Sequence, residues 1–146
     1  MDEKTVILNG RPAIKGIAEG EALVCPESIQ GWAGIDDETG VIIEKGHSQE
    51  GVSIKNRILV LPCSKGSNGW SSHFHSAKIN GATPAGWLFS KMDSRTGVAA
   101  VVIDIPTIAD FEGPDPVEVI KTGDWVKIDA NNGIVEVRRM KILSKN

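Results

Sequence analysis

Ile58-Leu59-Val60-Leu61-Pro62-Cys63-Ser64-Lys65-Gly66-Ser67-Asn68-Gly69-Trp70 reads as a buried strand, a tight turn and the opening of a helix. Ile58–Leu61 is wholly apolar, which suits a strand covered on both faces. Pro62 has no N–H to give to a ladder and ends it. Gly66 allows a sharp turn, or a close approach of backbone to a ligand. Ser67 and Asn68 are good N-caps for a helix running to about Ile79. A helix start leaves backbone N–H groups unpaired and carries partial positive charge, so a carboxylate or phosphate is its natural guest. On spacing alone, Gly66-Ser67-Asn68 also fits an ordinary helix cap.

Working outward toward the C-terminus, Asn80-Gly81 and then Pro84 stop the helix. Residues 85–89 read as a second buried strand. Strand, helix and strand in that order predict a crossover between parallel strands. Residues 98–105 form the most hydrophobic run, rich in valine and isoleucine, and are expected to be a core strand stopped by Pro106. Residues 107–111 suit a short strand or turn, and 117–120 a brief strand or one helical turn. Residues 124–129 and 134–138 alternate apolar and polar around Asn131-Asn132-Gly133, the pattern of a closing hairpin.

Toward the N-terminus, residues 5–8 precede Asn9-Gly10, a turn signal. Residues 13–18 and 21–24 flank Glu19-Gly20 and read as a hairpin. Residues 31–40, rich in glycine and acid, read as a loop, followed by a strand over 41–44. The expectation is a single α+β domain over residues 1–146. It is layered and β-rich, with one strand–helix–strand crossover.

Bulk properties narrow the function. The chain of 146 residues is long enough for one real core and short for two domains. Its net charge of −3 offers no electrostatic case for nucleic acid, and Arg138, Arg139, Lys141 and Lys145 read as solvated surface. No apolar run is long enough to span a membrane, and Met1-Asp2-Glu3-Lys4 does not open a signal peptide, so a cytoplasmic protein is expected. A reducing cytosol argues against a Cys25–Cys63 disulfide. Two isolated cysteines do not make a metal site, and both are expected to be small buried apolar residues. His73 and His75 have no cysteine or acid at zinc spacing. Asp36, Asp37 and Glu38 are crowded without the alternation of a calcium loop, so no metal site is expected in this chain.

Three stretches together resemble one family. They are Lys15-Gly16-Ile17-Ala18-Glu19-Gly20-Glu21-Ala22-Leu23-Val24, Ser28 through Ile42 with Gly31-Trp32-Ala33-Gly34 at its centre, and Gly51-Val52-Ser53-Ile54-Lys55 through Lys65-Gly66-Ser67. Their order and spacing are similar to the small subunit, or swivel domain, of the aconitase X family. The resemblance implies a swivelling β/β/α domain and a hydro-lyase acting on a small hydroxy acid, such as cis-3-hydroxy-L-proline or mevalonate 5-phosphate. It implies a large partner subunit whose cysteines hold an iron–sulfur cluster. It also implies that the serine after the glycine, Ser67 after Gly66, is the base that takes the substrate proton.

On that reading, Lys65, Gly66, Asn68 and Gly69 shape an anion-binding turn. The N–H groups of Asn68 and Gly69 and the charge of Lys65 would lower the Ser67 pKa. Trp32 is expected as a substrate-side contact. In the aconitases proper the glycine–serine pair is followed by a serine and a substrate-gripping arginine. Here Asn68-Gly69-Trp70 follows, so the substrate is expected to differ from citrate-type tricarboxylates.

Two other readings stand beside this one. Ser72-His73, with Thr122-Gly123-Asp124-Trp125 near the end, is similar to the phosphohistidine swivel domains, in which His73 would carry a phosphoryl group. The paired glycines of those domains are missing. The third reading is a non-catalytic lid or regulatory subunit.

Overall fold

The computed structural model describes residues 3–30, 34–65 and 72–140. In chain order they form β1 (Glu3–Ile14), β2 (Ile17–Val24), β3 (Ile58–Leu61), α1 (Ser72–Ile79), β4 (Gly86–Phe89), α2 (Ser94–Ile103), β5 (Thr107–Glu112), α3 (Pro116–Val119), β6 (Trp125–Asp129) and β7 (Ile134–Met140). The strands close into a barrel in the order β1-β5-β4-β3-β2-β6-β7, with β7 pairing back onto β1. β2, β3, β4 and β5 are parallel neighbours, and β1, β6 and β7 complete the ring in antiparallel pairs.

Alternation along the strands builds two cores. Leu8, Ala22, Val24, Ile58, Val60, Leu88, Ile108, Val126, Ile128, Val135 and Val137 come from every strand and fill the barrel. The opposite faces of the parallel strands carry Leu23, Leu59, Leu61, Trp87, Phe89 and Ala109, which pack under Phe74 and Ala77 of α1 and Ala99 and Ile103 of α2. Ile29, Ile35, Ile42 and Ile54, from the long excursion between β2 and β3, join this outer core. β3 and β4 are therefore buried at every position, whereas β6 alternates buried and exposed residues. Among the described residues no helix is long and apolar enough to cross a membrane.

Several sequence expectations are corrected. The sheet does not lie in open layers but closes on itself. Residues 98–105 are not a core strand; most of them belong to α2. Asp93 caps that helix by accepting from Thr96 N, and the Thr96 hydroxyl accepts from the Asp93 N–H in return. β4 and β5 are parallel neighbours, so the chain between them has to cross back, and that demand overrides the strand propensity of the valines. The outward Val98 and Val101 leave the helix apolar all round, which hid its period.

Asn9-Gly10 and Glu19-Gly20 are not turns but lie inside β1 and β2, and these two strands pair with others, not with each other. Gly10 is required by crowding: a Cβ there would sit 2.6 Å from Ile108 Cγ2. Residues 41–44 make only isolated bridges, Ile35–Ile42 and Val41–Ser53. At the end of α1, Ile79 is 74% exposed, while Phe74 and Ala77 are buried. Cys25 is buried as expected, but Cys63 is only half-buried. The hairpin of β6 and β7 forms in register, with Asp129 opposite Ile134.

Trp87 joins α1 to the sheet. Its ring lies 5.4 Å from that of Phe74 and 4.9 Å from that of Phe89, and its Nε1 donates to Thr107 Oγ1 at 2.8 Å. Replacing it by alanine (Trp87→Ala) is expected to destabilise the fold by about 3–5 kcal/mol, read as a lower urea midpoint.

Candidate active site

Parallel strands all deliver their loops to one end. The segments after β2, β3, β4 and β5 therefore gather at a single rim, the carboxyl end of the parallel sheet, which is where open α/β sheets bind ligands. The chain leaving β3 is laddered onto the chain leaving β4: Ser90 N donates to Leu61 O and Lys91 N to Pro62 O, both at 3.0 Å.

The next three residues are each tied to a different segment. Cys63 O accepts from Ser28 Oγ at 2.5 Å, on the loop after β2. Ser64 donates from both N and Oγ to Asp93 Oδ2, at 3.1 and 2.8 Å. Lys65 Nζ is ion-paired with Glu44 Oε2. Ser28 is itself held with φ at 63°, and its carbonyl accepts from Nε2 of the buried His47. The His47 tautomer is set by the Gln49 N–H, which donates to Nδ1 at 3.0 Å. Further round the rim, Asp110 accepts from Met92 N at 2.9 Å and from Arg11 Nε at 2.9 Å. Asp115 caps α3 and accepts from Ser90 Oγ at 2.6 Å.

The charges follow from these contacts. Partial burial would raise the Asp93 carboxyl, but hydrogen bonds from Thr96 and Ser64 outweigh it and hold the group below the usual aspartate range. Glu44 is likewise held low against its burial, by hydrogen bonds from Lys65 and the Gln30 N–H. Burial pushes the Cys25 thiol up to about 12, with Glu27 and Glu44 adding to the effect, so it stays a thiol at neutral pH.

Of the residues singled out from the sequence, Lys65 stands at this rim, half-exposed and already partnered by Glu44. Gly66, Ser67, Asn68, Gly69 and Trp32 lie outside the described residues. His73 belongs to α1, but its side chain lies outside the description. Sequence reasoning missed Ser28, Glu44, Asp93 and Asp110. Asp93-Ser94-Arg95-Thr96 did carry a signal, a helix cap with its reciprocal partner three residues on, masked by the valines after it. Glu44 had no local signal. A cavity of about 250 Å³ between β2 and α3, lined by Val24, Pro26, Gln49, Ile120, Lys121 and Thr122, contains none of the rim tethers to residues 63–65.

The structure is a closed barrel whose parallel strands end in one tethered rim. The family model for the aconitase X swivel domain matches residues 7–137, and the chain belongs to that family. It is 34% identical over 133 residues to the phosphomevalonate dehydratase small subunit of Methanococcoides burtonii, covering 91% of this chain and 96% of that one. It is 37% identical over 127 residues to the protein of the same name from Archaeoglobus fulgidus, covering 87% and 95%. The crystal structure of Thermococcus kodakaraensis aconitase X in its holo-form superposes with a TM-score of 0.83 at 32% identity, covering 90% of this chain and 98% of that one.

The Asp93 contacts predict a pH signature. A carboxyl lowered in the folded state adds stability above its unfolded pKa of about 4 and loses it as pH falls through the folded value. Asp93→Asn should therefore be about 1–2 kcal/mol less stable at pH 7, and the gap should close as the medium is taken toward pH 3, measured by urea midpoints.

Proposed function

We propose that this chain is the small subunit of a two-subunit hydro-lyase that dehydrates mevalonate 5-phosphate, with Ser67 as the proton acceptor. The observation that carries the reading is the near full-length match to relatives named phosphomevalonate dehydratase small subunit. Their name also favours mevalonate 5-phosphate over cis-3-hydroxy-L-proline. The rim supports the reading chemically. Its β3 segment carries a cation, Lys65, and leads directly into Gly66-Ser67.

In the proposed reaction the Ser67 oxygen, as the alkoxide, takes the proton from C2, next to the substrate carboxylate. The C–H electron pair forms the C2=C3 double bond, and the 3-hydroxyl departs with its C–O pair as hydroxide; the proton taken by Ser67 is released in turn, restoring the alkoxide and balancing the hydroxide as water. Backbone N–H groups of Asn68 and Gly69, with Lys65, hold the carboxylate as it gains enediolate character. A serine base needs this positive surrounding because its ordinary pKa lies far above neutrality.

An iron–sulfur cluster takes thiolates as ligands, typically four. This chain offers only Cys25 and Cys63, Cys25 is a buried thiol, and no grouping of His, Cys, Asp and Glu among the described residues could hold a metal ion. The chain's own residues do not fit a cluster, so in this proposal its ligands come from the large subunit.

Mixing the purified chain with a cysteine-bearing large subunit should produce dehydration of mevalonate 5-phosphate that neither chain gives alone. Ser67→Ala should cut turnover about 10²- to 10⁴-fold with substrate still bound. Turnover of cis-3-hydroxy-L-proline instead would move the substrate assignment. Near-normal turnover by Ser67→Ala would leave the chain a lid and not a source of the base.

A further inference from the structure

Glu44 joins two segments of the rim. Its Oε1 accepts from Gln30 N at 2.7 Å and its Oε2 from Lys65 Nζ, while its backbone N donates to Gly34 O at 3.3 Å. Gln30 and Gly34 bracket the segment that contains Trp32, and Lys65 directly precedes Gly66-Ser67. We infer that Glu44 is a positioning residue for the reaction, fixing Lys65 at the rim against the loop that carries Gln30 and Gly34. The inference rests on the dehydratase reading given above.

The burial of the pair is unequal in a useful way. The Glu44 side chain is 14% exposed and that of Lys65 40%. The carboxylate is thus enclosed by the segments it joins, while the ammonium opens outward. An ammonium has three donors, and Glu44 takes one. Two are left for a carboxylate or phosphate arriving from outside. A long lysine side chain has many rotamers, and an enclosed partner that accepts from one donor fixes the direction of the rest. Glu44 is also anchored on its other oxygen by the Gln30 N–H, so it does not swing with the lysine. The carboxylate therefore has two roles: it orients the cation and it spaces two loops. A displacement of about 1 Å in such a site costs about 10²-fold in rate.

The test uses the assembled two-subunit enzyme with mevalonate 5-phosphate. Glu44→Gln keeps the size of the side chain and an oxygen for the Gln30 N–H, and removes the charge facing Lys65. We expect kcat to fall about 10- to 100-fold, with KM moving less than kcat and the melting temperature and assembly unchanged. Adding Lys65→Met to Glu44→Gln should cost little beyond the larger single loss, because the two act as one unit. Wild-type kcat in Glu44→Gln, or losses that add in full, would overturn the inference. So would a loss of kcat matched by a loss of assembly that Lys65→Met does not share, which would assign Glu44 to folding alone. Ser67→Ala separates the two levels. If Ser67→Ala keeps turnover, the serine-base reading fails whatever Glu44 does. If Ser67→Ala is dead while Glu44→Gln is fully active, only the inference about Glu44 fails.

Discussion

Four strands that run the same way, the central two buried at every position, impose most of what this molecule does. Parallel neighbours cannot be joined by a tight turn, so the chain has to leave the sheet, cross over and return. Between β3 and β4 it does so through α1, and between β4 and β5 through α2. These crossings cover the outer face with Phe74, Ala77, Ala99 and Ile103, while the inner face is filled by the barrel core. The same rule sends every departing loop to one rim. The location of the rim thus follows from strand direction before any side chain is considered.

At that rim, polar side chains replace apolar packing as the means of fixing the backbone. A loop leaving a parallel sheet has no ladder to follow, and its N–H and C=O groups need partners. Here Ser28 supplies one for the carbonyl of Cys63 and Asp93 one for the N–H of Ser64, while Glu44 holds the next residue by the side chain of Lys65. Asp93 does this while capping α2, so one carboxylate ties the loop after β3 to the helix after β4. The loop just before Gly66 is held by the geometry of three other segments, and strain or slack in any of them is passed to it.

The parts of the fold visible in the sequence were those with local causes. Ile58–Leu61 and Gly86–Phe89 announced themselves as unbroken apolar runs, and β6 and β7 by alternation around Asn131-Asn132-Gly133. What failed had causes at long range. Gly10 and Gly20 looked like turns, but they are small because other chain segments press on them: Ile108 and Ala109 O at Gly10, and Asn56 O at Gly20. Residues 98–105 looked like a strand because their period is hidden by valines on the outer side of α2. The position of Lys65 in the loop after β3 was readable from the apolar strand and Pro62 before it. Its carboxylate partner, twenty-one residues earlier in a polar loop, was not. An ion pair between distant segments leaves no period, spacing or composition for a reader to find.

The pairing of β7 with β1 has a consequence for how the chain meets copies of itself. Every strand in the ring has a neighbour on each side, so no row of backbone N–H and C=O groups is left for another molecule to pair with. An open sheet edge would let one copy of the chain stack on another. Sealing the sheet removes the seam along which such stacking would begin.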